Sequence, residues 1–302
     1  VLARRVENHS QLIDHTRFGP WEQWIIRHLV EPFEKVLLKR LPEAGTAHSL
    51  MLEQPVRGRQ YCLDGYVFDG NCTALGIVDS IMYPGTDAFM RFDYPSRLST
   101  PVQDRALDVA KRFLQAIGFD HGLFNMEFIH DELTGEIKVI EFNPRMAAQF
   151  SDLYARVDGL NLHEIAMALA HGVDPATLPQ AEPTAGCASS FVYRSFDPDA
   201  GVTMPSKGRI RDLGKAYPDH QLFQFPKLPA EIRRDFKWLG SYRYGIMHLG
   251  GRDANELRTR CEHASSLLGW PAPYLEHPAD LIADEAALAR WSARAATERA
   301  TG

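Results

Sequence analysis

The chain has 302 residues, 45% of them hydrophobic, and its 39 acidic and 33 basic side chains give a formal net charge of −6. A chain of this length can bury a large core and can form two domains or lobes. The acidic balance argues against a nucleic-acid-binding protein, and the apolar runs are too short to span a bilayer. We therefore expect neither nucleic acid nor membrane as a partner.

The N-terminal segment and the cysteines indicate a cytoplasmic protein. The segment VLARRVENHSQL lacks the apolar core and the small-residue cleavage site of a signal peptide. The cysteines lie far apart and form no CxxC pair, which is typical of reduced, mostly buried thiols. They are Cys62, Cys72, Cys187 and Cys261.

The first part of the chain is predicted to form helices and then strands. Residues 8–41 have apolar side chains at helical spacing, with a kink or break at Pro32. A short buried strand is expected within 47–54. The segments YCLDGYVF and NCTALGIVDS then form two strands joined at Asp69-Gly70, a dipeptide typical of tight hairpin turns.

A loop, a helix and a second hairpin follow. Residues 83–96 are rich in proline, glycine and aromatic residues and are predicted to form a loop. Residues 101–118 form the clearest helix, beginning at Pro101 and ending at Gly118. Its predicted apolar stripe consists of Leu107, Ala110, Leu114 and Ile117. The second hairpin occupies residues 124–145.

The rest of the chain mixes helices and strands without strict alternation, which indicates an α+β (mixed α/β) fold. The expected elements are a helix that ends at Gly172, a connector over 174–186, strands that begin at Cys187 and Tyr242, a helix over 254–269 and an exposed helical tail over 271–302.

The second hairpin carries two glutamates in otherwise apolar strands. If its turn centres on Thr134, Glu127 and Glu141 lie directly opposite each other, because each is seven residues from the turn. Alternation then places Asn143 on the same face as the glutamates. The opposite, core-facing side is predicted to hold Met126, Phe128, Ile140 and Phe142.

Two facing carboxylates and an amide predict a metal site. Like charges opposite each other destabilise a strand pair unless a cation lies between them, and hard oxygen ligands favour Mg²⁺ or Mn²⁺. Pro144 ends the strand and presents Arg145 beside the same face, where it could hold a carboxylate or phosphoryl group. The alternative is a solvent-exposed face on which these side chains are merely polar.

The segment "ME…IEFNPR" resembles the metal-binding signature of the ATP-grasp superfamily. Upstream, LMLEQPVRGRQYCLDGYVFDG is similar to the hinge segment of that superfamily, and SDLYARVDGLNLHEIAMALAHG resembles its carboxylate–amine ligase branch. The resemblance covers residues 1–175 well and 185–270 more weakly. It implies ATP-grasp lobes built from antiparallel sheets packed with helices, and an enzyme that activates a carboxylate as an acyl phosphate.

The resemblance implies a role for each matching residue of the hairpin. Glu127, Glu141 and Asn143 correspond to ligands of the Mg²⁺ ions that bridge the phosphates of ATP. Arg145 corresponds to a catalytic residue that stabilises the transferring phosphoryl group or the acyl phosphate.

The hinge residues correspond to the nucleotide-binding part of the family. Glu53, together with the backbone from Gln54 to Val56, would lie at the adenine edge. Gln60 stands where the family usually has the acid that holds the ribose, which puts nucleotide affinity in doubt. Asn125 likewise stands where some branches have a basic residue.

The start of the chain also departs from the family pattern. VLARRVENHSQL matches the region that follows the glycine-rich phosphate loop of the family, so that loop and its lysine are expected upstream of Val1. The resemblance therefore implies a fragment or a shortened protein, with little activity expected from these residues alone. It divides the chain into the remainder of an N-terminal subdomain with the hinge (1–60), a subdomain with the metal site (61–175) and a C-terminal subdomain with a helical tail (185–302).

Three further residues are candidates for substrate contact. Arg91 could bind a phosphate or a carboxylate, or could form a salt bridge with Asp87 or Asp93. Asp152 and Arg156 follow the hairpin and fall on the side expected for the acceptor substrate. Ser151, beside them, is predicted to cap a helix.

Two functions remain open at this stage. The first is an ATP- and Mg²⁺-dependent ligase that joins a small-molecule carboxylate to an amine, possible as a homodimer because paired subunits are common in the resembling family. The second is a nucleotide- or metabolite-binding module that has lost catalysis, which the glutamine at position 60 favours.

Overall fold

The chain divides into two units, Val1–Val56 and Arg57–Gly302. Two helices make up most of the first unit. The computed structural model describes residues 6–46, 49, 51–199 and 201–274. Helix α1 (His9–His15) begins after Asn8, whose side chain accepts a hydrogen bond from the Gln11 amide. Helix α2 (Pro20–Arg40) runs through Pro32 without the break predicted from the sequence.

The short buried strand predicted within 47–54 is wrong for the residues that can be described. Met51 and Leu52 are irregular in structure and are 80% and 67% exposed. Their apolar side chains therefore pack into no core in this unit. Ala47, His48 and Leu50 lie outside the described residues.

One antiparallel sheet runs through the second unit. Its strands are β1 (Arg59–Phe68), β2 (Asn71–Met82), β3 (Phe89–Tyr94), β4 (Gly122–His130), β5 (Ile137–Asn143), β6 (Cys187–Ser195), β7 (Gln221–Gln224) and β8 (Tyr242–Gly251). Their order across the sheet is β5-β4-β1-β2-β3-β6-β8-β7. The strands of the two segments predicted as 61–175 and 185–302 thus pair within a single sheet.

Local sequence explains the first hairpin but not the third strand. Asp69 and Gly70 both have positive φ angles, 49° and 76°, as the predicted two-residue turn requires. The prediction of a loop over 83–96 is wrong in its second half, where β3 pairs with β2 on one side and β6 on the other. The alternation of Phe92 and Tyr94 with polar residues fits a strand with one apolar face.

Helices cover both faces of the sheet. They are α3 (Thr100–Ala116), α4 (Ser151–Asp158), α5 (Leu162–Ala170), α6 (Lys207–Ala216), α7 (Pro229–Leu239) and α8 (Ala254–Leu268). Helices α4 and α5 pack on one face, whereas α3, α6 and α8 pack on the other. We call the α4–α5 side the cleft face, because both cavities described below open there.

Helix α3 forms as predicted, but its buried stripe is shifted by one residue at its start. Ala106, Ala110 and Leu114 are buried, whereas Ile117 is 57% exposed. Ile117 is the C-cap residue, one position beyond the last helical residue.

No helix within the described ranges combines the length and the apolarity that crossing a membrane requires. The predicted tail is described only as far as Tyr274, and the rest of it lies outside the described residues.

Candidate active site

The hairpin of β4 and β5 brings the two glutamates together. Glu127 pairs with Glu141, and Asn125 pairs with Asn143. Glu127, Glu141 and Asn143 therefore share one face as the sequence predicted, and that face is the cleft face. Near the turn the pairing is offset by one residue, with Phe128 opposite Val139. A β-bulge at Ile140 therefore restores the register that makes the carboxylates face each other.

The bulge also corrects one prediction about the opposite face. Met126 and Phe128 are fully buried, and the Phe142 ring stacks on Phe113 of α3 with the centroids 4.1 Å apart. Ile140, predicted to share that face, is instead 48% exposed. An extra residue in one strand breaks the alternation of side chains at that point, which explains the difference.

Hydrogen bonds tie the polar side chains of the hairpin into a network. The amide of Gln60 donates to Glu127 Oε2 at 2.8 Å, and that of Asn143 donates to Glu141 Oε1 at 2.9 Å. Arg145 Nη2 donates to Asn143 Oδ1 at 3.3 Å. Gln60 thus lies beside the predicted metal ligands, while its predicted contact with ribose stays a prediction.

The electrostatics of the pair favour a bound cation. Burial raises the pKa of Glu127, and the neighbouring charge of Glu141 raises it further. A divalent cation between the carboxylates would relieve both effects. No cluster of three or more His, Cys, Asp or Glu side chains in the described ranges could hold a metal. Two carboxylates and an amide oxygen nevertheless fit Mg²⁺, which commonly takes its other ligands from phosphates and water.

A buried aspartate supports the hairpin from the adjacent strand. Asp64 on β1 is 1% exposed and accepts hydrogen bonds from Asn125 Nδ2 at 3.1 Å and from the Tyr154 hydroxyl at 2.8 Å. Burial raises its pKa to about 7, although both hydrogen bonds favour the ionised form. Asn125 in turn lies 3.4 Å from the Asn143 amide, so Asp64 holds the hairpin through one intermediate side chain.

We expect the Asp64→Asn substitution to change how stability depends on pH. The pKa of Asp64 is about 7 in the folded protein against an ordinary 3.8, so folding favours its protonated form. The stability that the protonated Asp64 contributes to the folded protein is fully present below about pH 4. It is lost as the pH rises through about 7, and the free energy of unfolding then falls by on the order of 4 kcal/mol. The variant lacks this loss and should gain stability relative to the natural protein between about pH 5 and pH 8.

Urea unfolding of both proteins across this pH range measures the difference. Asp108→Asn, which removes an exposed carboxylate from α3, is the matched control for the loss of one charge. A stability difference between Asp64→Asn and the natural protein that stays constant with pH would contradict the raised pKa.

A cavity of about 360 Å³ on the cleft face adjoins the hairpin. Glu127 and Arg145 line it together with two arginines that the sequence analysis missed, Arg194 of β6 and Arg243 of β8. The two arginines pair directly across the strands. Burial lowers the pKa of both, and the charge of Arg243 lowers that of Arg194 further. Such a pair of like charges favours an anion in the cavity.

A larger cavity of about 600 Å³ continues from the first. Ala148, Gln149 and Arg243 line both. Asp152, predicted on the acceptor side, lines the larger cavity, together with His248 of β8. The two cavities therefore adjoin along these three shared residues, and we refer to them together as the cleft.

Arg156 holds the wall of this cleft rather than opening into it. Its guanidinium bonds Asp152 Oδ2 at 2.6 Å and Asp219 Oδ2 at 2.8 Å, and it is only 8% exposed. Ser151, predicted as a helix cap, is instead the first residue of α4, and its hydroxyl makes no capping bond.

Arg91, the third candidate for substrate contact, lies away from the cleft. Arg91 pairs with Phe191, whose side chain packs under α8, so it lies on the opposite face of the sheet. There it is 2% exposed and forms an ion pair with Asp93 at 2.9 Å. Glu53, Gln54 and Val56 belong to the other unit, in an exposed irregular stretch. Substrate contact by Arg91 and adenine contact by these three residues stay predictions.

Curated sequences with significant similarity are large chains of carbamoyl phosphate synthase. The chain is 27% identical over 211 residues to that of Thermotoga neapolitana, a match that covers 62% of this chain and 19% of the relative. It is 30% identical over 146 residues to that of Xylella fastidiosa, covering 47% and 13%. The matches thus span a fifth or less of these relatives, and no protein-family model matches the chain.

Solved structures resemble a larger share of the chain. Biotin carboxylase from Campylobacter jejuni superposes with a TM-score of 0.54 and 18% identity, covering 88% of this chain and 54% of that one. N5-carboxyaminoimidazole ribonucleotide synthetase from Thermus thermophilus gives 0.54 and 18%, covering 80% and 59%. L-amino acid ligase from Bacillus licheniformis gives 0.53 and 15%, covering 71% and 54%.

These structural neighbours and the sequence relatives are ATP-grasp proteins, and the mixed helix-and-sheet architecture agrees with theirs. The fold that the resemblance implies is thereby confirmed: the chain has the ATP-grasp fold.

Proposed function

We propose that the protein is an ATP- and Mg²⁺-dependent ligase that activates a carboxylate as an acyl phosphate and joins it to an amine. The observation that carries the proposal is the facing pair Glu127 and Glu141, with Asn143, beside a cavity lined by Arg145, Arg194 and Arg243. A cation-binding face next to an anion-binding cavity is the arrangement that phosphoryl transfer to a carboxylate needs.

Each group in this site has a chemical task under the proposal. Glu127, Glu141 and Asn143 would hold Mg²⁺, which supplies charge neutralisation at the ATP phosphates when bound. Arg145 faces the transferring phosphoryl group, and the pair Arg194 and Arg243 holds the carboxylate. Glu53, Gln54, Val56 and Gln60 keep the nucleotide-binding roles that the resemblance implies.

The reaction balances in two steps. An oxygen of the carboxylate attacks the γ-phosphorus of ATP, and the bond from that phosphorus to the bridging oxygen breaks, which gives acyl phosphate and ADP. The nitrogen of the amine then attacks the acyl carbon, and the carbon–oxygen bond to phosphate breaks as phosphate leaves with the electron pair. We propose small-molecule substrates, a cytoplasmic location and a homodimer as the assembly to be tested.

An isotope experiment tests this proposal in the full-length natural protein. Carboxylate and amine pairs are screened for Mg²⁺-dependent ADP release, and an active pair is repeated with ¹⁸O in the carboxylate. One labelled oxygen should appear in the released phosphate for each amide formed. ADP release without label in the phosphate would refute the acyl phosphate. Binding of Mg²⁺-ATP without ADP release under any pair would favour the non-catalytic binding module instead.

A further inference from the structure

Unpartnered polar atoms concentrate at the cleft. Seven buried side-chain nitrogen or oxygen atoms in the described ranges lack a hydrogen-bond partner, and four of them belong to Ser151, Arg194 and His248. All three residues line the two connected cavities. Buried polar groups without partners are rare and costly, so their clustering indicates the place of a polar ligand.

His248 is the most exceptional of these residues. It is 3% exposed, and neither of its ring nitrogens has a hydrogen-bond partner among the described residues. It lines the 600 Å³ cavity on the same strand face as Ile246. The residues opposite it in the neighbouring strands, Ser190 and Gln221, carry no charge. The imidazole is therefore enclosed by the protein at the wall of the cavity, with both ring nitrogens buried and without a hydrogen-bond partner in the described part of the chain.

Asp152, in the first turn of α4, lies beside the imidazole. Its Oδ2 lies 3.6 Å from His248 Nδ1, slightly longer than a hydrogen bond. Gln221 Nε2 and Arg156 Nε fix the two carboxylate oxygens at 2.8 Å and 2.6 Å. Burial alone would raise the pKa of Asp152, but the adjacent His248 and Arg156 lower it below its ordinary value. The carboxylate is thus anionic and held in place.

The remaining wall of the cavity combines polar side chains, Gln149, Ser151, Asn161 and Gln221 among them, with one apolar patch. Phe223, Phe225 and Ile246 form this patch, and the Phe223 ring lies 5.5 Å from the His248 ring. The other ionisable groups that line the cavity are His163 of α5 and Arg243 of β8. A ligand that fits this lining has a polar, proton-bearing head at Asp152 and His248 and an apolar body against the aromatic rings.

We propose that the 600 Å³ cavity is the site of the amine substrate, a primary amine with an apolar substituent, and that His248 is the base that removes its proton. This inference rests on the proposed ligase function. Asp152 acts as a positioning residue, because it holds the imidazole and attracts the ammonium group. The cleft then leads the deprotonated nitrogen past Gln149 toward the carboxylate site.

The proton balance of the step is complete. The amine enters as an ammonium ion, and His248 takes one proton and becomes imidazolium. The free nitrogen pair attacks the acyl carbon, the carbon–oxygen bond to phosphate breaks, and the leaving phosphate takes the second proton of the nitrogen. The imidazolium then returns its proton to solvent. General-base catalysis of this kind typically contributes about 100-fold or more to the rate.

A binding experiment tests the site without nucleotide or turnover. The histidine ring resonances of the natural protein are followed by NMR as 2-phenylethylamine is added, with 2-phenylethanol as a probe of similar shape that lacks the ammonium group. The amine should shift the His248 resonance and the alcohol should not. His248→Gln should weaken amine binding at least about 10-fold, since it removes the base and leaves an amide. His263→Gln, which alters a histidine on α8 bonded to Tyr217, should leave binding unchanged.

The NMR measurement keeps the inference falsifiable even if the His248→Gln protein does not fold. An unshifted His248 resonance, or equal shifts with the amine and the alcohol, would overturn the amine site.

A trapping experiment separates this inference from the proposed function. Hydroxylamine is largely unprotonated near neutral pH, so it can capture an acyl phosphate without a base. His248→Gln should reduce amide formation at least about 100-fold while hydroxamate formation persists. Equal amide formation in the variant and the natural protein would overturn the role of His248. No hydroxamate in either protein would instead refute the acyl phosphate, and with it the premise of the inference.

Discussion

Mg²⁺-dependent ADP release in the full-length natural protein is expected to fall at least about 100-fold when Glu141 is replaced by glutamine. Glutamine keeps the size of the side chain but removes one of the two carboxylates that face each other across β4 and β5. The remaining carboxylate, Glu127, would hold the cation alone. A coupled assay of ADP release against Mg²⁺ concentration measures the loss, and calorimetry with Mn²⁺ measures the affinity directly.

Stability separates this effect from simple damage to the fold. The charge of Glu141 raises the pKa of Glu127, so its removal relieves repulsion and should not lower the unfolding temperature in the absence of metal. Glu136→Gln removes the same charge from the same hairpin, at a site paired with Lys138 and 58% exposed, and should leave ADP release unchanged. Full ADP release by the Glu141→Gln protein would refute the metal assignment.

Replacing Gly159 with alanine is expected to destabilise the protein by about 3 kcal/mol or more. Gly159 ends α4 with a φ of 68°, and a Cβ there would lie 1.8 Å from the carbonyl oxygen of Ala181. That contact is with backbone, so a flexible side chain cannot relieve it. The connector also donates a backbone hydrogen bond at this point, from the Ala181 amide to the Gly159 carbonyl at 3.1 Å.

A second glycine provides the matched control. Gly172 follows α5 with the same φ of 68°, but a Cβ there would meet nothing within 4 Å. Gly172→Ala should therefore cost only the strain of the left-handed backbone, about 1 kcal/mol. Urea unfolding of the two variants compares them directly. Equal losses of stability in the two variants would show that the backbone around Ala181 moves to accommodate the added methyl group. The close approach of Ala181 to Gly159 would then not be needed for stability.

The local features of the sequence were sufficient to predict the turn of the first hairpin and the facing glutamates of the second. Asp69-Gly70 marked the first turn, and the positions of Glu127, Glu141 and Asn143 on alternating strands placed them on one face. These predictions depend on contacts between residues that are close along the chain. The prediction that the two glutamates, equidistant from Thr134, face each other nevertheless holds only because of the bulge. No residue of β5 indicates that bulge in the sequence.

The cation-lined cavity depends on contacts that local patterns do not contain. Arg194 and Arg243 become neighbours only when β6 pairs with β8, and Glu127 reaches the same cavity from β4, which is separated from β6 by three strands. One signal was available: Arg194, Arg243 and His248 each interrupt a strand that is otherwise largely apolar. A buried polar residue in such a strand requires a partner or a ligand, so these three positions were candidates for the same reason as the two glutamates.

Arg91 shows where composition is insufficient. Both substrate contact and an ion pair with Asp87 or Asp93 were predicted for it; the ion pair with Asp93 is present, and substrate contact stays a prediction. Its segment is rich in proline, glycine and aromatic residues, which favoured a loop that could reach a substrate. The two faces of a strand differ completely in their surroundings, and the residue lies on the face that packs under α8 with Asp93 as its partner. Whether a strand residue faces a site or a core depends on register, which composition does not determine.

The bulge at Ile140 sets a condition on the length of the segment between the two glutamates, and this condition can be checked in distant relatives. Because of the extra residue, the pairing near the turn and the pairing at the carboxylates differ in register by one residue. A homologous hairpin without the bulge keeps its carboxylates opposed only if the segment between them is one residue shorter. An alignment that matches both glutamates but ignores this residue would place every side chain between the bulge and the turn on the wrong face.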